Sequence, residues 1–217
     1  MSILDVAASS LLPVPFHAMP QEKSNYCGQF VLSMALEYLT GKYAPPFELV
    51  HLTGKPEGGV TLTVGLANAS LKSGLSVTLI TLSAELLTDR DDEFAELANL
   101  EKSALLTLFN RLKGDALSKG LLIEERRPSL TDLEVAIKRD AVPIVVVDIG
   151  RLKKASLFLP HFLLVTGITQ STVFAHNVGP KQPKAHQPFS RSDFLEAWSA
   201  EGTDMDTLLL ERHPSCS

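Results

Sequence analysis

The residues able to do chemistry in this chain begin with Cys27, in the stretch "SNYCGQFVLSMALEYLTG". A thiol becomes nucleophilic as its thiolate, and helix N-terminal dipoles together with an imidazole lower its pKa from about 8.5 by several units. Cys27 heads an apolar helical pattern, so the first of these aids is at hand, and Gly28 beside it leaves room for a substrate backbone. Taken alone, a cysteine flanked in this way reads as a small buried hydrophobe. Two residues far downstream change that reading. His161 opens "HFLLVTGI" and Asn177 closes the strand in "TVFAHNVGP". A short "TQS" turn between antiparallel strands sets the start of one beside the end of the other. A thiolate catalyst needs such a histidine as base and a third group to orient it. Gln21, six residues before Cys27, offers a side-chain amide to the oxyanion formed when the thiolate attacks a carbonyl, alongside the Cys27 N–H.

The elements that must position these residues follow from hydrophobic period. From Cys27 to Thr40 the polar residues Gln29, Ser33, Glu37 and Thr40 share one narrow stripe and the rest is apolar, which makes a buried helix stopped at Gly41. A second helix is expected from Thr61 to about Gly74, then a strand in "SVTLITL". From Asp91 to Lys113 the apolar residues, Phe94 among them, follow a helical period that Gly114 closes, giving one or two amphipathic helices. "SLTDLEVAIKR" reads as a helix capped by Ser129 and Asp132. The last third holds strands in "VPIVVVDIG", "HFLLVTGI" and "TVFAHNVG", a capped helix in "SRSDFLEAW" and a final strand in "TLLLER". The prolines of "PKQPKAHQP", 180–188, mark a surface loop. Helices lead and strands follow, which gives an α+β fold: a helical N-terminal part, with the Cys27 helix packed on a C-terminal, mainly antiparallel sheet.

Composition narrows the function classes. The chain has 217 residues and a net charge of −5, with Lys and Arg scattered rather than massed, so no nucleic-acid partner is expected. The N-terminus lacks a secretory pattern and no apolar run is long enough to span a membrane. That fits a cytoplasmic protein, or a bacterial effector exported by a signal-peptide-independent route. Cys27 and Cys216 are far apart, the second in a polar tail, and do not form a disulfide framework. The remaining candidates read as structure. His176 points to the face opposite Asn177, because neighbouring strand residues alternate. His51, His186 and His213 lack metal-ligand spacing, so no metal and no other cofactor is expected. Trp198 reads as packing, "TDRDDEFAE" and "EERRP" as solvated faces, and "KPEGGVT" as a turn without the ending of a phosphate loop.

The ordered set "QEKSNYCGQFVLSMALEYLTG", "LTDLEVAIKRDAVPIVVVD", "PHFLLVTGI" and "TVFAHNVGP" resembles the C39-like cysteine peptidases, a branch of the papain-like fold. The resemblance runs from about Gln21 to Trp198. It implies a catalytic triad and oxyanion hole in which Gln21 is the oxyanion glutamine, Cys27 the nucleophile, His161 the general base and Asn177 its orienting residue. Three departures bear on activity. Tyr26 stands where the family keeps an Asp, and Asn177 replaces the usual Asp of the triad, where an acceptor is needed rather than a charge. The spacing from Cys27 to His161 exceeds the compact core, and the surplus falls in a helical insertion at about 84–120 of a single domain, 1–217. The implied activity is hydrolysis of a peptide or amide bond through a thioester acyl-enzyme, on a peptide or protein substrate. Deamidation or acyl transfer on the same triad, and a catalytically silent peptide-binding module, are the alternatives.

Overall fold

The computed structural model describes residues 11–23, 25–86, 91–154, 158–179 and 181–213, and for 91–94 the backbone only. Cys216, Pro180 and the side chain of Phe94 lie outside the described residues. The apolar runs of the last third pair into one sheet. Strands β1 (Leu75–Thr81), β2 (Leu122–Glu125), β3 (Val142–Asp148), β4 (Pro160–Ile168), β5 (Thr172–Asn177), β6 (Lys184–Ser190) and β7 (Thr207–Arg212) lie in the order β2-β1-β7-β3-β4-β5-β6. Every pairing is antiparallel except β1 with β2.

Both faces of this sheet are covered, which explains why β3 reads as an unbroken apolar run and is buried along its whole length. One face carries α1 (Cys27–Thr40), α2 (Thr63–Lys72) and α4 (Lys102–Leu117). They bury Ile144, Val146, Phe162 and Leu164. On the other face α5 (Leu130–Lys138) and α6 (Arg191–Trp198) bury Val145, Val147, Leu163 and Val165. Alternation along each strand sends successive side chains into these two cores. Trp198 is fully buried in the second, 5.5 Å from the Phe194 ring. Ser129 caps α5 with the reciprocal Asp132 bond of a capping box, as its sequence indicates.

The helical period beginning at Asp91 forms two helices, α3 (Asp91–Ala98) and α4, with Asn99 at φ 55° between them, within the expectation of one or two. Three boundaries differ from expectation, each for a local reason. Gly114 does not end α4 but lies inside it, since a helix already packed on a core absorbs the cost of about 1 kcal/mol of one glycine. Helix α2 starts at Thr63 rather than Thr61, because the Thr61 hydroxyl is engaged by Gln29 of α1. The proline-rich 180–188 segment is not simply a surface loop: from Lys184 it forms β6 at the sheet edge. An edge strand tolerates Pro188, whose missing N–H faces away from any ladder.

The segment 84–120 packs beside α2. Phe109, Leu112 and Ala116 of α4 enter the first core. Its fit is close at Gly59, where a Cβ would lie 2.0 Å from the Ala98 carbonyl oxygen; α2 fits as closely to the preceding turn, a Cβ on Gly65 lying 2.2 Å from the Thr53 carbonyl oxygen. Both contacts are with backbone, which cannot rotate out of the way. Gly65→Ala therefore forces α2 away from Thr53, and we expect it to destabilise the fold by about 1–3 kcal/mol. A fall in the thermal unfolding midpoint of several degrees checks this. An unchanged midpoint would contradict the packing described.

Candidate active site

Cys27 is the first residue of α1, with Tyr26 at the N-cap making no side-chain capping bond. The helix is buried almost all round, so its N-terminus is held in one place, and Cys27 is half-buried at the bottom of a cleft of about 480 Å³. Burial pushes the Cys27 thiol up. Against that, backbone N–H groups of Phe162, Gly28 and Cys27 favour its thiolate, as does the positive charge of Lys55. The space beside Gly28 is not free for a substrate backbone, contrary to the sequence reading. A Cβ there would meet Phe162 and Thr61 at 3.3 Å and Leu66 at 3.4 Å, so this glycine serves close packing of α1 on β4.

His161 lines the same cleft from the start of β4. Leu164 pairs with His176 across the β4–β5 ladder, so His161 and Asn177 fall on one face, diagonally offset. Their side chains meet: His161 Nε2 lies 3.2 Å from Asn177 Oδ1. The Asn177 amide is itself fixed, since its Nδ2 donates to Gln187 Oε1 at 2.9 Å and its Oδ1 accepts from the Gly179 N–H at 3.2 Å. With Oδ1 held as acceptor, His161 Nε2 must carry the proton and Nδ1 keeps the lone pair. Burial lowers the His161 pKa to about 4. The Asn177 hydrogen bond opposes this fall, and the Lys153 charge adds to it. A raised thiol and a lowered imidazole make the resting pair neutral, rather than the thiolate–imidazolium pair that helix dipole and imidazole alone would give.

Gln21 is placed differently. It sits on the exposed 3-10 turn Gln21–Lys23 and is not among the residues lining the cleft. Among the described residues its side-chain amide makes no hydrogen bond. His176 points away from Asn177's face, is fully buried, and bonds the Val14 carbonyl through Nε2 at 2.9 Å, so it anchors the N-terminal segment. Gln187 was not foreseen. Its signal was hidden by the surrounding prolines, and an alternating pattern in "KAHQPFS" next to a strand ending in Asn is the only trace of it.

The rest of the cleft is mainly apolar, with Leu62, Leu86, Leu97, Phe109 and Ile123 on its walls. Leu86, Leu97 and Phe109 come from the 84–120 segment, which therefore shapes the cleft. Asp206 also lines it, with the Thr81 hydroxyl donating to Oδ1 at 2.6 Å. Burial raises the Asp206 pKa to about 6, opposed by hydrogen bonds from Thr63 and Thr81. Among the described residues no group of His, Cys, Asp and Glu is placed to hold a metal ion, and no helix is long and apolar enough to cross a membrane.

The Cys27 helix set on a mainly antiparallel sheet, with Cys27 and His161 lining one cleft, is the arrangement of a papain-like, cysteine peptidase-like domain. The chain belongs to the Peptidase_C39 like family, whose sequence profile matches residues 19–194. Among solved structures it is similar to the peptidase domain of Streptococcus ComA, a bi-functional ABC transporter involved in a quorum-sensing pathway. The TM-score is 0.51 at 13% sequence identity, over 92% of this chain and 100% of that one. At that identity the likeness is one of fold. Comparison with curated protein sequences found no significant match.

Two expectations follow from the charges. The His161 ring should be neutral and protonated on Nε2 at pH 6, titrating near pH 4, which ring 15N NMR reads directly. Its folded pKa is below the unfolded value, so the stability it contributes is present above about pH 6.5 and lost as pH falls toward 4. Asp206 has the opposite sign: with a folded pKa near 6 against about 3.9 unfolded, its ionisation costs stability above pH 6. Asp206→Asn should raise the unfolding midpoint at pH 7.5, with the gain vanishing below about pH 4. A midpoint that falls at both pH values would refute this account.

Proposed function

We propose that the chain is a cysteine peptidase that hydrolyses a peptide or amide bond through a thioester acyl-enzyme. The observation that carries this reading is the orientation of His161 by Asn177, with His161 lining the same cleft as Cys27. Because the resting pair is neutral, attack and proton transfer are coupled. Cys27 Sγ adds to the substrate carbonyl carbon as its proton passes to His161 Nδ1, and the imidazolium formed is stabilised through Nε2–H by Asn177. The oxyanion is held by the Cys27 N–H, and Gln21 becomes a second donor only once its uncommitted amide swings in from the exposed turn to the cleft. Collapse breaks the C–N bond, the imidazolium protonates the leaving amine, and a thioester remains on Cys27. Water then attacks with His161 again as base, releasing the acid and restoring the thiol.

The apolar walls of the cleft suit substrates that place a large aliphatic or aromatic side chain beside the bond cut, since burying it contributes roughly 1.5–3 kcal/mol. Incubation of the purified chain with a peptide library, with products identified by mass spectrometry, tests the reading. Cleavage next to apolar residues is expected, with Cys27→Ala and His161→Ala each lowering kcat/KM by at least about 1,000-fold and Asn177→Ala by less. If Cys27→Ala cleaves as fast as the natural chain, the mechanism is wrong. Addition of a primary amine to the assay separates the alternatives. Amide products in place of acids indicate acyl transfer, and ammonia release from Gln side chains without chain scission indicates deamidation.

A further inference from the structure

Three residues flanking Cys27 hold one loop, 53–61, against the nucleophile. Two positions before it, Asn25 Nδ2 donates to the carbonyls of Gly58 and Gly59 at 2.9 and 3.0 Å. Two positions after it, the buried Gln29 Nε2 donates to the hydroxyls of Thr53 and Thr61, both at 2.8 Å. One position before it, the Tyr26 ring carries the ammonium of Lys55, whose Nζ is 4.4 Å from the ring centroid. Lys55 is only 8% exposed and donates to the Pro56 carbonyl at 3.2 Å. Among the described residues no carboxylate pairs with it. A lysine buried to this degree without a counter-ion is costly and asks for a reason.

We propose that Lys55, seated on the Tyr26 ring, is a positioning charge that stabilises the Cys27 thiolate as it forms, so that Tyr26 and Lys55 together do the electrostatic work at this position. This rests on Cys27 being the nucleophile. The ring explains how the charge stays available. A carboxylate partner would cancel the field of the ammonium at the sulfur and repel the thiolate itself, whereas a ring quadrupole holds the cation and leaves its charge uncancelled. Tyr26 stands where the resembling family keeps an Asp, and an acid there would do what the ring avoids. The other groups facing this region are few. His161 lines the same cleft from β4, and Lys23 lies 5.8 Å from the Tyr26 ring centroid and 5.6 Å from that of Phe47. Lys153 and Asp206 lie along the cleft. The coupling is reciprocal: burial lowers the Lys55 pKa, and the Cys27 charge opposes that fall.

The test is the pH dependence of iodoacetamide alkylation of Cys27 in the full chain, which needs no substrate. Lys55→Met should raise the apparent thiol pKa by about one unit or more and slow alkylation at pH 7 about 10-fold. Tyr26→Leu, which removes the seat but not the charge, should move it in the same direction by less. Lys55→Arg should restore most of the natural profile, since a guanidinium also rides an aromatic face. Unfolding midpoints measured alongside identify variants whose loop has come apart; for these, Lys55→Arg carries the test. A Lys55→Met chain that folds normally with an unchanged thiol pKa overturns the proposal and leaves Lys55 structural. A shifted thiol pKa in a chain that cuts no peptide upholds this inference while sinking the peptidase reading.

Discussion

The arrangement around Cys27 depends on the buried amide of Gln29. It lies fully buried in the first turn of α1, where an unpaired amide would cost several kcal/mol. Its hydrogen bonds therefore fall to Thr53 and Thr61, at either end of a loop that must come to the helix to provide them. Everything nearby follows from that obligation. Gly65 must lack a side chain to pass the Thr53 carbonyl, and the loop between the two threonines is held against the residues just before Cys27.

The electrostatics of the cleft are set by dryness more than by pairing. The thiol is raised and the imidazole lowered by the same cause, removal from water. At rest, neither group stores charge. In the proposed reaction charge would appear only on attack of a carbonyl, and the groups proposed to meet it are already in place: backbone N–H groups at the head of α1, the Asn177 oxygen beside the imidazole, and the Lys55 ammonium on its ring. This division suits a site whose donors need not reorganise during the reaction.

Much of this was legible in the sequence because it was written in periods and spacings. The apolar stripe of α1, the strand runs around His161 and Asn177, and the Ser129–Asp132 cap are local patterns with one structural solution each. What escaped notice had no local signature. Gln187 contacts Asn177 only because β6 pairs with β5, and prolines masked that strand. Gly28 looked like room for a ligand because its neighbours, Phe162 and Leu66, are remote in the chain. The neutral state of Cys27 and His161 was hidden for a similar reason: residue types suggest an ion pair, but the degree of burial is a property of the whole packing. Lys55 was read only as part of a turn.

The imidazole is aligned from the outside of the protein inwards. His161 lies on a strand near the middle of the sheet, yet its orientation passes through Asn177 to Gln187, which belongs to the outermost strand. Edge strands have one unpaired flank and are among the first elements to open when a fold is stressed. Loss of β6 would leave the Asn177 amide held by the Gly179 N–H alone and loosen the imidazole while both cores stayed intact. Warming or mild denaturant should then loosen the alignment of His161 before the molecule unfolds, so that the lifetime of this arrangement is set by its rim rather than by its core.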